Sequence, residues 1–287
     1  MKIIKYFVQF LFVILSFILF KILGPKISSK ISGKIFEIIG PFFRSKKIIH
    51  SNIKRAFPEI DPEKMKSHIK LMWNNYGRVF AEYMFVKDFR SGRLSKEIQI
   101  EGKEIIDEIV RTNKQVVFIS GHLSNFELMA MYLEKNNIKL AAIYRPLNNI
   151  FLNKIMENIR INYICKNQIK KGRSGTRQIL ENLKKGNSIA LMIDQRVTQG
   201  IKINFFGDMA STTTIPAQII KKYKCDLVPI YIERIRKYHF KMYVSQPIEI
   251  NPQKSQSEIS THLNKILEKM ILKNPDQWIW THDRWKK

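Results

Sequence analysis

Residues 115–127 read Q-V-V-F-I-S-G-H-L-S-N-F-E. Val116, Val117, Phe118 and Ile119 form a short apolar run, rich in β-branched residues and closed by Ser120 and Gly121, the pattern of a buried strand that ends in a turn. Phe126, Leu128, Met129, Met131 and Tyr132 then recur at helical spacing, with Ser124 or Asn125 placed to cap the helix and Glu127 in its first turn. His122 therefore stands at the carboxyl end of a strand. A neutral imidazole that takes a proton from an alcohol becomes a cation, and a carboxylate on its far nitrogen fixes the tautomer and stabilises that charge. Glu127 is the expected carboxylate, so His122 and Glu127 are the candidate catalytic pair. Of the six histidines only His122 has an acid five residues later, and only it follows a strand. The bland reading of the same spacing is a loop histidine beside an acid that complements a helix dipole.

Outward from this block the pattern continues as α/β. Apolar runs at 140–143, 163–164, 188–193, 227–232 and 241–244 read as strands, alternating with helical patterns over 149–160, 175–185 and 215–223. Residues 233–238 are polar enough to turn an antiparallel hairpin, so the expected fold is a central mixed β-sheet flanked by helices. Residues 27–89 read as helices punctuated by Pro41, Pro58 and Pro62. Ile31, Ile35, Ile38 and Ile39 form one apolar face; Met65, Ile69, Met72, Trp73 and Tyr76 form another. Trp73, Tyr76, Phe80, Tyr83 and Phe85 could wall an acyl-chain groove or be ordinary core. Ahead of them, residues 3–23 are apolar apart from Lys5, Gln9, Ser16 and Lys21, close to the roughly 20 residues needed to cross a bilayer. A cleaved signal peptide is the competing reading, but Leu23-Gly24-Pro25-Lys26 offers no small-x-small cleavage site. The expected organisation is an N-terminal membrane anchor over 1–25, a helical cap over 26–95 and an α/β core over 96–287. Lys21, Lys26, Lys30 and Lys34 outnumber Lys2 and Lys5 across the apolar segment, which favours a cytoplasmic body, although basic flanks on both sides also suit an in-plane anchor.

The chain has 287 residues, 45% of them hydrophobic, and a formal charge of +26, with a pI near 10.0. That charge implies acidic partners, such as an anionic membrane, a phosphorylated glycolipid, an acidic carrier protein or nucleic acid. No helix-turn-helix, zinc-finger or RNP-type signature supports nucleic acid, and an apolar anchor does not suit such a role. Cys165 and Cys225 lie far apart without ligand spacing, so neither a disulfide framework nor a zinc site is expected. The sequence lacks G-x-S-x-G and G-x-x-x-x-G-K-S/T, which disfavours a serine hydrolase and a nucleotide-driven enzyme.

Candidate substrate-binding residues are Asn125, Arg145, Arg173, Arg177, Asp194 and Gln195. Arg145 follows a strand and could bind phosphate or steady an oxyanion, against the bland reading of a structural salt bridge. Arg173 and Arg177 are a helical turn apart after Gly172, which suits anion capture at a helix start or simply a solvated basic face. Asp194 and Gln195 end the run 189–193, at a strand's carboxyl end, the usual site position in α/β sheets.

G-H-L-S-N-F-E resembles the histidine-acid block of the bacterial lipid A biosynthesis acyltransferases, the lauroyl and myristoyl transferases of the lysophospholipid acyltransferase superfamily. The likeness extends to Y-R-P from Tyr144, G-R-S-G from Gly172, D-Q at Asp194 and Gln195, N-F-F-G-D-M-A-S-T-T from Asn204, L-V-P-I from Leu227 and P-D-Q-W-I-W-T-H-D-R-W from Pro275. These blocks keep the family's order across nearly the whole chain. The resemblance implies a glycerolipid acyltransferase-like fold and no metal or other cofactor. It also implies an acyl carrier protein donor and an acceptor built on a phosphorylated, Kdo-bearing glucosamine disaccharide. It places the enzyme at the inner membrane with its body on the cytoplasmic face, sets the Y-R-P block beside the histidine, and assigns Asp194 and Gln195 a structural or positioning role. Trp278, Trp280 and Trp285, with His282 and Arg284, match the family's terminal signature and are expected to pack the core or the membrane face. Phe126 stands where family members commonly have Trp, which keeps an aromatic, and they often have Gly near Ile215, ahead of Pro216 and Ala217, a change at a tight turn that bears on acceptor fit. Alternatives are an acyltransferase on another glycolipid, of the phosphatidylinositol mannoside type, or a basic membrane or nucleic-acid binding protein that has lost catalysis.

Overall fold

The structure, a computed structural model, describes residues 2–286, with the Arg173 side chain outside the described set. A helical segment comes first: α1 (Lys2–Ile39), α2 (Lys46–Ala56), α3 (Pro62–Glu82) and α4 (Val86–Ser91). Helix α1 is broken at Gly24, whose left-handed φ of 75° precedes Pro25. Proline cannot donate to the helical ladder, and the Ser28 hydroxyl instead donates to the carbonyls of Phe20 and Gly24. Beyond the break, Ser28, Ser29, Ser32 and Gly33 are buried, and the Ser32 hydroxyl donates to the Gly77 carbonyl of α3 at 2.6 Å. The two backbones are so close that a Cβ at Gly77 would stand 2.2 Å from the Ser32 carbonyl. By length and composition α1 is apolar enough to cross a membrane.

The α/β part follows as β1 (Ile98–Glu101), α5 (Lys103–Thr112), β2 (Val116–Ser120), α6 (Glu127–Lys135), β3 (Leu140–Tyr144), α7 (Ile150–Tyr163), β4 (Asn167–Lys170), α8 (Arg173–Lys184) and β5 (Ser188–Met192). A small hairpin, β6 (Ile201–Phe205) and β7 (Asp208–Thr212), precedes α9 (Ile215–Tyr223), β8 (Asp226–Arg236), β9 (His239–Val244) and α10 (Gln256–Lys273). The seven-stranded sheet runs β1-β9-β8-β2-β5-β3-β4. Strands β8, β2, β5, β3 and β4 are mutually parallel, while β9 runs antiparallel to β8 and carries β1 with it. The sheet is therefore mixed, as the polar turn after β8 suggests.

Strand alternation divides the core between the two faces. Val117, Ile119, Ile189, Leu191 and Leu227 point into one layer with Trp278, Trp280 and Trp285; Val116, Phe118, Val228 and Ile230 point into the other with Phe85, Phe89 and Phe240. Each fully buried apolar side chain of this kind contributes about 1.5–3 kcal/mol. Both layers reach into the helical segment: Met65, Met72 and Trp73 of α3 join the first, and Phe17, Phe20 and Ala81 join the second.

Several local expectations are corrected. Tyr163 ends α7 instead of starting a strand, and the strand itself is the polar Asn-Gln-Ile-Lys of β4, an edge where only Ile169 is buried. Ser124 and Asn125 do not cap α6, because Ser124 has a left-handed φ of 50° and the helix starts after Phe126 without a side-chain cap. The aromatic row on and after α3 is largely core: Trp73, Tyr83 and Phe85 are buried, and Phe80 packs on Phe17, Phe20 and Phe36.

Candidate active site

Strands β2 and β5 are neighbours, with Ser120 opposite Met192. Two residues past each of these partners stand His122 and Asp194, so parallel pairing alone brings the two side chains together at the carboxyl edge of the sheet. Gly121 makes the approach possible: a Cβ there would lie 2.8 Å from Leu267 Cδ1 and 3.4 Å from Asp194 Cβ. The His122 backbone N–H donates to Asp194 Oδ2 at 2.8 Å, and His122 Nδ1 lies 2.7 Å from Asp194 Oδ1. The Trp278 indole N–H donates to Asp194 Oδ2 at 2.9 Å. Asp194 is 1% exposed, and every contact is a donor, so it is held as the anion. With its proton on Nδ1, the imidazole leaves the Nε2 lone pair without a partner among the described residues. Phe126 packs edge-on against the ring at 4.7 Å between centroids.

The electrostatics of the pair follow from burial and attraction. Burial works to raise the Asp194 pKa, but the His122 charge, its two hydrogen bonds and the Trp278 indole outweigh it and hold the carboxyl well below its ordinary range. Burial likewise works to lower the His122 pKa, but the Asp194 charge and hydrogen bond, with a smaller contribution from Glu127, leave it raised. His122 is thus a stronger base than a free imidazole.

Glu127 does not occupy the expected place. Its Oε1 accepts from Arg160 Nε at 3.0 Å and Arg160 Nη2 at 2.5 Å, while Nδ1 of His122 is taken by Asp194. The physical reason is that α6 begins right at Glu127, and Arg160 of α7 presents a partly buried guanidinium that requires a counter-ion there. Glu127 and Arg160 still act on His122 through space, the former raising its pKa and the latter lowering it. Beside them, Arg160 Nη1 and the hydroxyls of Tyr83 and Ser124 are buried without a protein partner among the described residues. Burial and the nearby Glu127 push the Tyr83 hydroxyl far up, so it is a neutral donor. Arg160 also stacks over the Tyr144 ring at 5.4 Å, which brings the Y-R-P block to the site through its tyrosine.

The remaining candidates are dispersed. Asn125 donates to Glu82 Oε2 at 3.2 Å inside a buried network in which Arg234 binds Glu82 at 2.5 and 2.9 Å and Ser29 donates at 2.8 Å. Arg145 is exposed and follows β3, which lies beyond β5 from β2, roughly 10 Å across the sheet. Arg177 is 85% exposed on its side chain and pairs with Glu181 at 2.9 Å, the solvated face weighed as its alternative. The Arg173 side chain is outside the described residues, and Gln195 is half-buried beside Asp194. No group of three or more His, Cys, Asp or Glu stands together as a metal-ligand set among the described residues.

Sequence reading overlooked Arg160, whose one signal is its place on the face of α7 that carries Met156, Ile159 and Tyr163 to the core. It also overlooked the indole of Trp278 as a donor to Asp194. The rest of the terminal signature packs as expected: Trp280 donates to the Pro275 carbonyl, Trp285 to the Phe205 carbonyl, and buried Arg284 to the Ser211 carbonyl and the Thr212 hydroxyl. His282, its pKa lowered by burial, accepts from the Arg196 N–H at 2.9 Å.

The family model described as bacterial lipid A biosynthesis acyltransferase matches residues 1–287, the whole chain. The chain belongs to this family. It is similar to the lipid A biosynthesis palmitoleoyltransferase of Escherichia coli K12, at 22% identity over 270 residues, covering 88% of this chain and 83% of that protein. The lipid A biosynthesis acyltransferase of Shigella flexneri matches to the same extent. The lipid A biosynthesis lauroyltransferase of Escherichia coli K12 is 24% identical over 255 residues, 85% of this chain and 79% of that protein. Like these lipid A relatives, the chain is an acyltransferase.

Proposed function

We propose that this acyltransferase moves a fatty acyl chain from an acyl thioester to a hydroxyl of a lipid A precursor, with His122 as general base. The observation that carries this reading is Nδ1 of His122 bound to a buried, ionised Asp194 while Nε2 has no partner among the described residues. The acceptor hydroxyl would give its proton to Nε2 as its oxygen attacks the thioester carbonyl. The tetrahedral intermediate would then collapse, breaking the carbon–sulfur bond, and the proton on Nε2 would pass to the departing thiolate. Asp194 would stabilise the imidazolium formed in between. Arg160 Nη1 and the Tyr83 hydroxyl are donors in the same neighbourhood, suited to the carbonyl oxygen as it gains charge, and Glu127 would hold Arg160 in place. No step calls for a metal or another cofactor.

The donor of this reading is acyl carrier protein, whose acidic surface suits a body of charge +26, and the acceptor is the phosphorylated, Kdo-bearing glycolipid. A glycerolipid acyltransferase-like core over 96–287 carries the site and an anchor over 1–25 holds the membrane. The helical part over 26–95 caps the core, a role supported by Tyr76, whose hydroxyl lies 3.1 Å from Thr281 Oγ1. Residence at the inner membrane with the body in the cytoplasm would give the enzyme both substrates. Full-length protein in detergent, incubated with acyl carrier protein thioesters and Kdo-bearing precursor, should yield lipid heavier by one acyl chain, and His122→Ala protein none. Transfer by His122→Ala at the wild-type rate would end this reading.

A further inference from the structure

Helix α1 touches the body along its length. On one face Tyr6, Phe10, Phe17 and Phe20 turn inward: the Asn149 carboxamide donates to the Tyr6 carbonyl at 2.8 Å, Phe10 lies 5.8 Å from Phe151, and Phe17 and Phe20 pack on Phe80. On the opposite face Ile4, Val8, Leu11, Leu15, Ile18 and Ile22 are exposed. From Tyr6 to Phe20 the helix rises roughly 21 Å, most of the roughly 30 Å hydrocarbon thickness of a bilayer. Were this stretch to cross the membrane, the body packed on it would enter the hydrocarbon too. That body includes the irregular segment 145–149, with Arg145 and Asn148 exposed, and Lys154 of α7. Lipid-exposed irregular backbone does not occur at that depth.

Past the break at Gly24 the pattern changes but the exposure persists. The face of Ser29, Ser32 and Gly33 is buried on α3, while Ile27, Ile31, Ile35 and Ile38 form an exposed stripe at i, i+4, i+8 and i+11, continued by Phe42 and Phe43. Lys26, Lys30 and Lys34 flank the stripe, and Arg44, Lys46 and Lys47 follow it. An apolar stripe bordered by lysines fits the boundary between acyl chains and anionic headgroups.

We infer that α1 does not cross the bilayer: both halves lie along one surface of an anionic membrane, with residues 27–43 as an interfacial docking face that seats the body in a single leaflet. This rests on the membrane association proposed above. The test uses the full chain carrying Lys5→Cys and, separately, Lys184→Cys on α8; the native Cys165 and Cys225 are buried. A membrane-impermeant maleimide is applied to spheroplasts and to inverted inner-membrane vesicles. Both positions should label from one and the same side. Labelling from opposite sides, with the protein in the membrane fraction, would overturn the inference and leave membrane association standing; recovery in the soluble fraction would remove the association itself. A solvatochromic fluorophore on Ile35→Cys should shift to the blue on adding phosphatidylglycerol vesicles. No shift would overturn the docking face, as would a shift produced only by raising the protein concentration, which would mean that a second copy covers it.

Discussion

Asp194 serves His122 in two ways that substitution can separate. As an acceptor it holds Nδ1–H and so selects the tautomer with a free Nε2; as a buried anion it makes the imidazolium easier to form. Asp194→Asn keeps the shape but removes the charge and presents an amide that can bind the ring the wrong way round. The expected outcome is a fall in kcat of about 10²–10⁴-fold with the fold retained, checked by steady-state kinetics and circular dichroism. Glu127→Gln should act differently. It removes the counter-ion of Arg160 and one charge that raises the His122 pKa, so a loss of about 1–3 kcal/mol in stability should accompany a fall in kcat smaller than that of Asp194→Asn. An effect confined to KM would exclude any action of Glu127 on the histidine. His122 was legible in sequence because strand, turn and helix are local. Its partner was not, since Asp194 lies 72 residues away and meets it only because β5 inserts between β2 and β3.

Elements are held in register by close approaches that leave no room for substitution. At Gly77 a Cβ would meet both the Ser32 carbonyl and Phe36 Cβ, so Gly77→Ala must push α1 from α3. The expected cost is about 1–3 kcal/mol, read as a lower Tm. The Glu82–Arg234 pair, nearly sealed from solvent, ties α3 to β8 and receives Ser29 and Asn125. Glu82→Ala leaves the guanidinium buried without its anion and should cost about 3–5 kcal/mol, measured by chemical denaturation. At this scale the parallel strands were legible because both faces are buried, which makes them continuous apolar runs such as Val116 to Ile119. Strand β4 escaped notice because an edge strand buries one side chain in four, and the hairpin β6–β7 because its alternating Ile-Lys-Ile-Asn-Phe and Asp-Met-Ala-Ser-Thr are short and partly polar.

For the molecule as a whole, the charge of +26 and the exposed face of α1 would make two separable contributions to the proposed membrane binding. The electrostatic part contributes about 1 kcal/mol per lysine or arginine near an anionic surface and is screened by salt, whereas the apolar part persists. Co-sedimentation of full-length protein with phosphatidylglycerol vesicles should therefore weaken as salt is raised without vanishing. Abolition of binding by salt would leave α1 no apolar role at the membrane. The same basic surface should hasten encounter with an acidic acyl carrier, so kcat/KM for that donor should fall with ionic strength while kcat changes little.

The dependence of kcat/KM on pH, measured for wild type and Asp194→Asn, tests the His122–Asp194 base most directly. A general base must be neutral to act, so activity rises as His122 loses its proton, and a raised pKa places the acidic limb above the ordinary histidine value of about 6.5. Removing the Asp194 charge leaves burial, which opposes the imidazolium, so the limb should move to lower pH while the maximal rate falls. A limb that stays where it was in Asp194→Asn would mean that this carboxylate does not set the basicity of His122, and would contradict the pairing on which the mechanism rests.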